Sequence, residues 1–372
     1  MTDLFNYYVN TWFKNRIGIR NLLYYQIHLT TNCQNNCLHC YYRELPHNKT
    51  SFEINDLLYL LENIRKQANR LKLPVRVDFT GGDPFLYNEL ETVLKKCIDL
   101  KIPYGFKCNP EFFLNPSENI FSLVKKSSGV SLSIDGLRET HDKFRQKGSF
   151  DTTLKAIQTI KNSGIQLKVG TTISKNNVNN LIPLINFLLQ EEIILDDFTW
   201  ARYWSIENSS DILNAQELYT VFSEMEIYMR ALFNTASFYY KTTNGRMIPK
   251  IMFGFKEHQW FPYLATKGIL DPQLVEYIQT NENCINCTAT KHFYIVDPDL
   301  SIYKCRKLPE TKITFVNILQ NTSGIFLTKW NGYCQKCIYY NGCGGCLAII
   351  KAIANTPILH EPECPYYLAT NK

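Results

Sequence analysis

Three cysteines close together near the N-terminus, Cys33, Cys37 and Cys40, have the spacing of a metal-binding group. They lie in the stretch LTTNCQNNCLHCYY, separated by four and three residues. A closed structural zinc site needs four nitrogen or sulfur ligands, so this group is one ligand short. A [4Fe–4S] cluster with one open iron needs three thiolates. Either a distant residue completes a closed site, or an open coordination position serves the chemistry.

A second group of cysteines occupies the C-terminal part of the chain. Its eight members are Cys284, Cys287, Cys305, Cys334, Cys337, Cys343, Cys346 and Cys364. Repeated Cys-x2-Cys pairs are typical of metal sites, and by themselves they also fit two zinc sites.

Composition narrows the class of protein. The 372 residues carry a net charge of +6 that is spread along the chain, so we expect no nucleic-acid partner. No apolar run is long enough to span a membrane and the polar start is not a signal peptide, so we expect a cytoplasmic protein without a membrane partner. In a reducing cytoplasm, 13 cysteines indicate metal binding or catalysis rather than disulfides.

The sequence that follows and surrounds the first cysteine group predicts alternating strands and helices, which would position these cysteines. Six apolar runs predict strands at residues 23–30, 75–80, 104–109, 129–134, 166–173 and 197–204. Amphipathic stretches between them predict helices, the first capped by Ser51, with Cys97 as a core residue of the second. This order predicts an α/β fold in which parallel strands form a partial (β/α)6 barrel.

The loops after these strands have unusual residues. The first strand leads into the three cysteines, the second into Gly81, Gly82 and Asp83, the third into Asn109, and the fourth into Asp135. In barrels of this kind the loops after the strands meet on one face, where active sites form. We therefore expect these residues to share one site.

The Cys-x3-Cys-x2-Cys group in this context resembles the radical S-adenosylmethionine (SAM) superfamily. The resemblance implies that the open iron binds the methionine end of SAM. The reduced cluster would then cleave SAM to methionine and a 5′-deoxyadenosyl radical.

Further motifs carry the same resemblance. His39 matches the family's aromatic position near the adenine, and TGGDPFL resembles its Gly-Gly-Glu-Pro motif, with Asp83 in place of Glu as the partner of the SAM amino group. FKCNP matches a third-strand motif at Asn109. SIDGLRETHDKFRQKGSF implies that Ser133 and Asp135 lie near the ribose and that Arg145 pairs with the SAM carboxylate. A solvated helix charge is the alternative for Arg145.

The C-terminal cysteines resemble the SPASM extension of radical SAM peptide and protein maturases. The resemblance implies one [4Fe–4S] cluster on Cys284, Cys287, Cys305 and Cys346. A second auxiliary cluster would lie on Cys334, Cys337, Cys343 and Cys364. With the SAM-binding cluster, the chain would hold three.

The sequence predicts four parts: an N-terminal extension (1–20), the barrel (21–205), a helical and aromatic connector (206–283) and the SPASM domain (284–372). The aromatic residues of the connector fit either packing between domains or a substrate-binding wall. The first twenty residues are too few for a separate peptide-recognition domain.

The resemblance implies an oxidoreductase that modifies a ribosomally made peptide by a cyclophane or other crosslink, a thioether or an epimerised residue. A flavodoxin- or ferredoxin-type protein would supply electrons. Three alternatives stay open: an anaerobic sulfatase-maturing enzyme, which has Asp where this chain has Arg306; a zinc-binding scaffold or regulator; and a maturase for a peptide-derived small cofactor.

Overall fold

The computed structural model describes residues 3–19, 22–44, 47, 49–205, 207–281, 292–308, 312–313, 334, 337–354 and 364–366. Two predicted ligands, Cys284 and Cys287, lie outside the described residues.

Six parallel strands form the centre of the fold, in the order of the sequence. They are β1 (Leu23–Thr30), β2 (Val75–Gly81), β3 (Tyr104–Lys107), β4 (Val130–Ser133), β5 (Leu167–Ile173) and β6 (Leu195–Arg202). Each pairs in parallel with the next. The predicted strands and their parallel arrangement are confirmed, because apolar runs bounded by turn residues are the clearest local signal for buried strands.

Helices follow the strands and cover the sheet. They are α2 (Ile54–Leu71), α3 (Leu90–Asp99), α4 (Glu118–Val124), α5 (Arg138–Phe144), α6 (Ser149–Asn162) and α7 (Leu181–Gln190). Cys97 of α3 is completely buried in the core, as predicted. The predicted cap at Ser51 is wrong: α2 begins after Glu53 without a side-chain cap, and the Ser51 hydroxyl lies 2.8 Å from that of Thr30.

The sheet continues beyond both edges of the predicted barrel. Within the described residues it has ten strands, which include β9 (Ile251–Gly254) beside β6, and β10 (Phe293–Val296), β11 (Ile302–Tyr303) and β12 (Lys312–Ile313) beyond β1. A separate hairpin pairs β7 (Tyr239–Lys241) with β8 (Met247–Pro249). The edge strands have two to four residues each, too few to show a period in the sequence. They join the connector and the cysteine-rich part to the barrel sheet.

The N-terminal segment and the connector pack together. Helix α1 (Leu4–Ile19) buries Phe5, Val9 and Phe13. The connector adds α8 (Ala215–Phe233), α9 (Trp260–Thr266) and α10 (Pro272–Thr280), and α11 (Leu347–Ala354) follows in the C-terminal part. Phe13 lies 6.1 Å from Phe255 between ring centres, and Phe222 stacks on Trp260 at 4.1 Å. These connector aromatics therefore pack in the core.

Among the described helices, none combines the length and apolar character that crossing a membrane requires.

Candidate active site

A cavity of about 300 Å³ opens at the carboxyl ends of the barrel strands. Nine of the predicted site residues line it: Cys33, Cys37, His39, Cys40, Gly81, Gly82, Asn109, Ser133 and Arg145. They come from four different loops, which parallel strands bring to one face. The other two predicted residues of this site, Asp83 and Asp135, are completely buried behind the cavity wall.

Asp135 holds Arg145 in place. One carboxylate oxygen of Asp135 accepts from Arg145 Nε at 2.7 Å, and the other accepts from the backbone N–H of Thr172 at 2.9 Å. Burial alone would raise the pKa of Asp135, but the neighbouring Arg145 and His39 lower it to about 2. The carboxylate is therefore ionised, and its two oxygens already accept hydrogen bonds from Arg145 and Thr172. The predicted contact of Asp135 with a ribose stays a prediction.

Arg145 is not a solvated helix charge, because its side chain is only 13% exposed. Beyond the ion pair with Asp135, its guanidinium lies 3.8 Å from the sulfur of Cys37 and 3.5 Å from Nε2 of His39. Burial lowers the pKa of His39, so its ring is neutral at pH 7. A guanidinium fixed from behind and open toward the cavity suits a carboxylate ligand.

Gly82 brings the second loop against the cysteine loop. The N–H groups of Gly82 and Asp83 donate to the carbonyls of Thr30 and Asn32, both at 2.7 Å. A Cβ atom at Gly82 would lie 2.0 Å from the carbonyl oxygen of Asn32. This contact involves backbone only, so a side chain could be accommodated only by moving the segment that leads into Cys33.

We therefore expect Gly82→Ala to lower the iron content of reconstituted protein and to reduce stability by about 1–3 kcal/mol, the usual cost of overpacking. Gly170→Ala is the matched control, because its Cβ would meet only an ordinary contact at 3.9 Å. Iron analysis and thermal melting of both variants test this, and normal iron content in Gly82→Ala would show that the cysteine loop tolerates the displacement.

Asp83 carries an unsatisfied buried oxygen. Its Oδ1 accepts from the N–H of Phe85 at 3.3 Å, whereas Oδ2 has no hydrogen-bond partner. Burial raises the pKa of Asp83 to about 6, although the nearby Gln34 side chain and the backbone of Phe85 act to lower it, and Glu111 adds a smaller increase. A buried carboxylate oxygen without a donor favours a ligand that brings one, such as an ammonium group.

Asn109 contacts the cysteine loop directly. Its amide nitrogen donates to the sulfur of Cys33 and to Oε1 of Gln34, each at 3.1 Å. Among the described residues, no three His, Cys, Asp or Glu side chains converge as ligands of a single ion do. Cys33, Cys37 and Cys40 all line the one cavity, and three thiols are the donor set of a cubane with one open iron. The donor set and the unsatisfied Asp83 oxygen therefore fit a three-thiolate cluster with SAM.

Four C-terminal cysteines lie around a second, small pocket. Its lining includes the whole set that the resemblance assigns to one auxiliary cluster, Cys334, Cys337, Cys343 and Cys364. Four thiols at one pocket match the chemistry of a closed iron–sulfur or zinc site.

Cys305 and Cys346 belong to a different neighbourhood, in which α11 packs against Trp204. Indole Nε1 of Trp204 donates to the carbonyl of Ala348 at 2.9 Å. Burial, and then the nearby Cys346, raises the pKa of Cys305. Gly344 and Gly345, both with positive φ, form the turn that separates Cys343 from Cys346. Cys305 and Cys346 thus lie in a different cluster of side chains from the four cysteines of the second pocket.

A buried polar chain connects the cavity with the four-cysteine pocket. Arg202, at the end of β6, pairs with Glu257 at 3.2 Å, and Glu257 lies 3.0 Å from Nδ1 of His258. Burial alone would lower the pKa of His258, but Cys343 and Glu257 beside it raise that pKa well above its usual value. This series of buried polar side chains was not predicted from the sequence, because its members do not belong to any motif.

The sequence analysis also missed the positive charge of the cavity. Seven of its lining residues are Lys or Arg: Arg43, Lys107, Arg145, Arg202, Lys256, Arg306 and Lys307. None of the lining residues that the structure describes is Asp or Glu. Of these, the sequence indicated only Arg145 and Arg306, because the others lie in separate loops and at strand ends that no sequence pattern brings together.

Comparison with known proteins supports the barrel assignment. Residues 27–188 match the Radical SAM superfamily. The AdoMet-dependent heme synthase of Oleidesulfovibrio alaskensis is 21% identical over 360 residues, which cover 91% of this chain and 86% of that protein. The cysteine-type anaerobic sulfatase-maturating enzyme of Clostridium novyi is 25% identical over 177 residues, covering 44% of this chain and only 46% of that enzyme.

Solved structures share the fold. The Streptococcus suis protein SuiB bound to its precursor peptide SuiA superposes with a TM-score of 0.65 and 14% identity, over 95% of this chain and 78% of that one. SuiB bound to S-adenosylmethionine superposes with a TM-score of 0.64 and 14% identity, over 94% and 80% of the two chains. At 14% sequence identity, the similarity shows that the fold is shared and no more than that.

Proposed function

This chain belongs to the radical SAM superfamily and is an enzyme, and we propose that it oxidatively modifies a ribosomally made peptide. The observation that carries the proposal is the convergence of Cys33, Cys37 and Cys40 on one cavity with Arg145 and Asn109. A fold-sharing protein that was solved with its precursor peptide supports the peptide as substrate.

The residues of the cavity take distinct parts in this proposal. Cys33, Cys37 and Cys40 would hold a [4Fe–4S] cluster with SAM on its open iron, which together supply a 5′-deoxyadenosyl radical. Asp83 offers its unpartnered oxygen to the SAM ammonium, and Arg145 offers its guanidinium to the SAM carboxylate. Ser133 and His39, which line the same wall, would border the nucleoside.

The C-terminal cysteines would hold two auxiliary [4Fe–4S] clusters. Four thiolates for each leave no iron open, which suits electron transfer or structural support better than direct binding of substrate. The reductant would be a flavodoxin or ferredoxin, and the many cysteines suit a reducing cytoplasm.

Coexpression with short peptides encoded beside the gene tests the proposal. Mass spectrometry should show a peptide that has lost hydrogen in forming a crosslink, or one that gains deuterium from heavy water on epimerisation. Intact peptides from every neighbouring reading frame, alongside active SAM cleavage, would contradict peptide maturation.

Replacing Asp83 tests its proposed contact with SAM. Because a charge-assisted hydrogen bond contributes about 1.5–3 kcal/mol, Asp83→Ala should weaken SAM binding roughly ten- to a hundredfold. Iron content should not change, since Asp83 is not a predicted cluster ligand. An unchanged SAM dissociation constant would place this carboxylate outside the SAM contact.

The pKa of Asp83, about 6, gives that test a pH dependence. Wild-type SAM affinity should fall as pH drops through 6 and the carboxyl group takes up a proton, whereas Asp83→Asn should lack this step. Since burial raises the pKa of this carboxyl from 3.8 to about 6 in the folded protein, the free energy of unfolding falls as pH rises from about 4 to about 6 and stays lower at higher pH. Asp83→Asn should therefore melt higher than wild type at neutral pH without SAM.

A second candidate function is modification of a tetrapyrrole. The heme synthase relative aligns over most of both chains, and the cationic cavity would accept the carboxylates of a tetrapyrrole. Incubating the reconstituted enzyme with SAM, reductant and a propionate-bearing tetrapyrrole separates the two candidates, since only one class of substrate should be changed.

A further inference from the structure

Three of the cavity's seven cations are neutralised by a carboxylate behind the wall, and a fourth is held by a backbone carbonyl. Lys107 lies 3.2 Å from Asp78, Arg145 pairs with Asp135 and Arg202 pairs with Glu257. The guanidinium of Arg43 donates to the carbonyl of Asn35 at 3.1 Å. Within the described part of the chain, Lys256, Arg306 and Lys307 form no ion pair.

Aromatic rings hold two of these three cations in place. The guanidinium of Arg306 lies 4.8 Å from the ring centre of Tyr41, and the ammonium of Lys307 lies 6.0 Å from that of Trp204. Both rings line the cavity. A cation over an aromatic face keeps its N–H donors available at the edge, so the rings position the charges without neutralising them.

Lys256 follows β9, and its exposed side chain lines the cavity. Desolvation by the surrounding protein, and then the cations Arg306 and Lys107, lower its pKa to about 7, while Asp197 acts in the opposite direction. Asp197 does not line the cavity. Cations gathered on one cavity repel one another, and an anion entering the cavity relieves the repulsion.

The three cations face different groups. Lys307 lies over Trp204, which packs against α11 beside Cys346, so Lys307 is placed toward the predicted auxiliary ligands. Arg306 lies over Tyr41, which directly follows the first cysteine group. Lys256 and Arg306 are therefore the cations that remain for a molecule inside the cavity.

We propose that Lys256 and Arg306 form a carboxylate-binding site for the substrate, so that the enzyme selects a molecule with an acidic group beside the position to be modified. The inference rests on the proposed function. In a peptide the acidic group is Asp, Glu or the C-terminus, and in a tetrapyrrole it is a propionate. The guanidinium provides paired donors for a carboxylate and the ammonium adds charge at the same point.

Binding to the reconstituted holoenzyme with SAM tests the site. The probes are fluorescent pools of short random peptides with a fixed central Glu, Gln or Lys. The wild type should bind the Glu pool about tenfold tighter than the Gln pool, the size expected for one charge-assisted contact. The double variant Lys256→Gln/Arg306→Gln should lose this preference, and Lys256→Arg should keep it.

Two controls make the result specific. Lys155→Gln removes an exposed charge on α6 and should leave the preference intact. Equal iron content and melting temperature in all variants show that the fold persists. A propionate-bearing tetrapyrrole and its methyl ester form the second arm: competition by the acid alone identifies the tetrapyrrole as the source of the carboxylate.

Equal binding of the Glu and Gln pools, with no competition by the tetrapyrrole acid, would overturn the proposal. So would an unchanged preference in the double variant. Weaker SAM binding with an unchanged peptide preference would assign the cations to SAM and would also overturn it. Failure of SAM cleavage would count against the proposed function and not against the binding preference, which is measured without turnover.

Discussion

Replacing Cys33, Cys37 and Cys40 together by Ala is expected to abolish the reductive cleavage of SAM and to remove one cluster's iron. Wild-type protein reconstituted without oxygen should contain about 12 iron atoms per chain, and the triple variant about 8, since each cubane holds four. The structure supplies the reason: the three thiols line the same cavity as Arg145 and Asn109, the residues that the family resemblance assigns to the SAM site.

Cys97→Ala is the matched control for this result. Its thiol is completely buried in the core and burial raises its pKa to about 12, so it has no part in iron binding and its loss should leave the iron content unchanged. Iron analysis and chromatography of 5′-deoxyadenosine give the two readouts. A triple variant that keeps wild-type iron and still cleaves SAM would remove the first cysteine group from the chemistry.

The second large effect is expected from the C-terminal cysteines. Cys305→Ala and Cys346→Ala should still cleave SAM to 5′-deoxyadenosine but fail to complete the modified substrate. Hydrogen abstraction followed by bond formation leaves a surplus electron on the product, and a cluster closed by four thiolates has no open iron for another task. Cys287→Ala, at a residue outside the described part of the chain, should behave in the same way.

Substrate recovered in deuterated buffer distinguishes this role from a structural one. An abstracted hydrogen that is not followed by oxidation should be replaced from solvent, so unmodified substrate should carry deuterium. Cys337→Ala, in the four-cysteine pocket, tests whether both sites are needed. Normal product yield from a folded Cys305→Ala protein that lacks its cluster would show that this cluster has only a structural role.

The sequence predicted the barrel well because its signals are local. Six apolar runs correspond to β1–β6, and the loops after them line one cavity. The edges of the sheet were missed, since a strand such as Ile302–Tyr303 is too short to have a period and is held by pairing with β10 and β12. Ser51 was wrongly predicted to cap α2, because a hydroxyl residue before apolar residues at helical spacing is typical of an N-cap. In the structure its hydroxyl contacts that of Thr30 instead.

The site could be predicted only where a motif names the residue. The cysteines, Gly82, Asn109 and Arg145 lie in recognisable stretches, and the structure places them on the cavity. Lys256 follows β9 and Arg202 ends β6, and these charges come together only after folding, so no spacing in the sequence predicts them. The partner of Arg145 was also unforeseen: buried Asp135 holds it from behind.

The central claim is that this chain uses SAM and iron–sulfur chemistry. The most direct measurement incubates anaerobically reconstituted wild type with SAM and dithionite and follows 5′-deoxyadenosine by chromatography, beside metal analysis of the same sample. The account predicts a brown protein with about 12 iron atoms that releases the nucleoside, and a triple-cysteine variant that releases none. A colourless, well-folded protein that holds zinc and leaves SAM intact would contradict it.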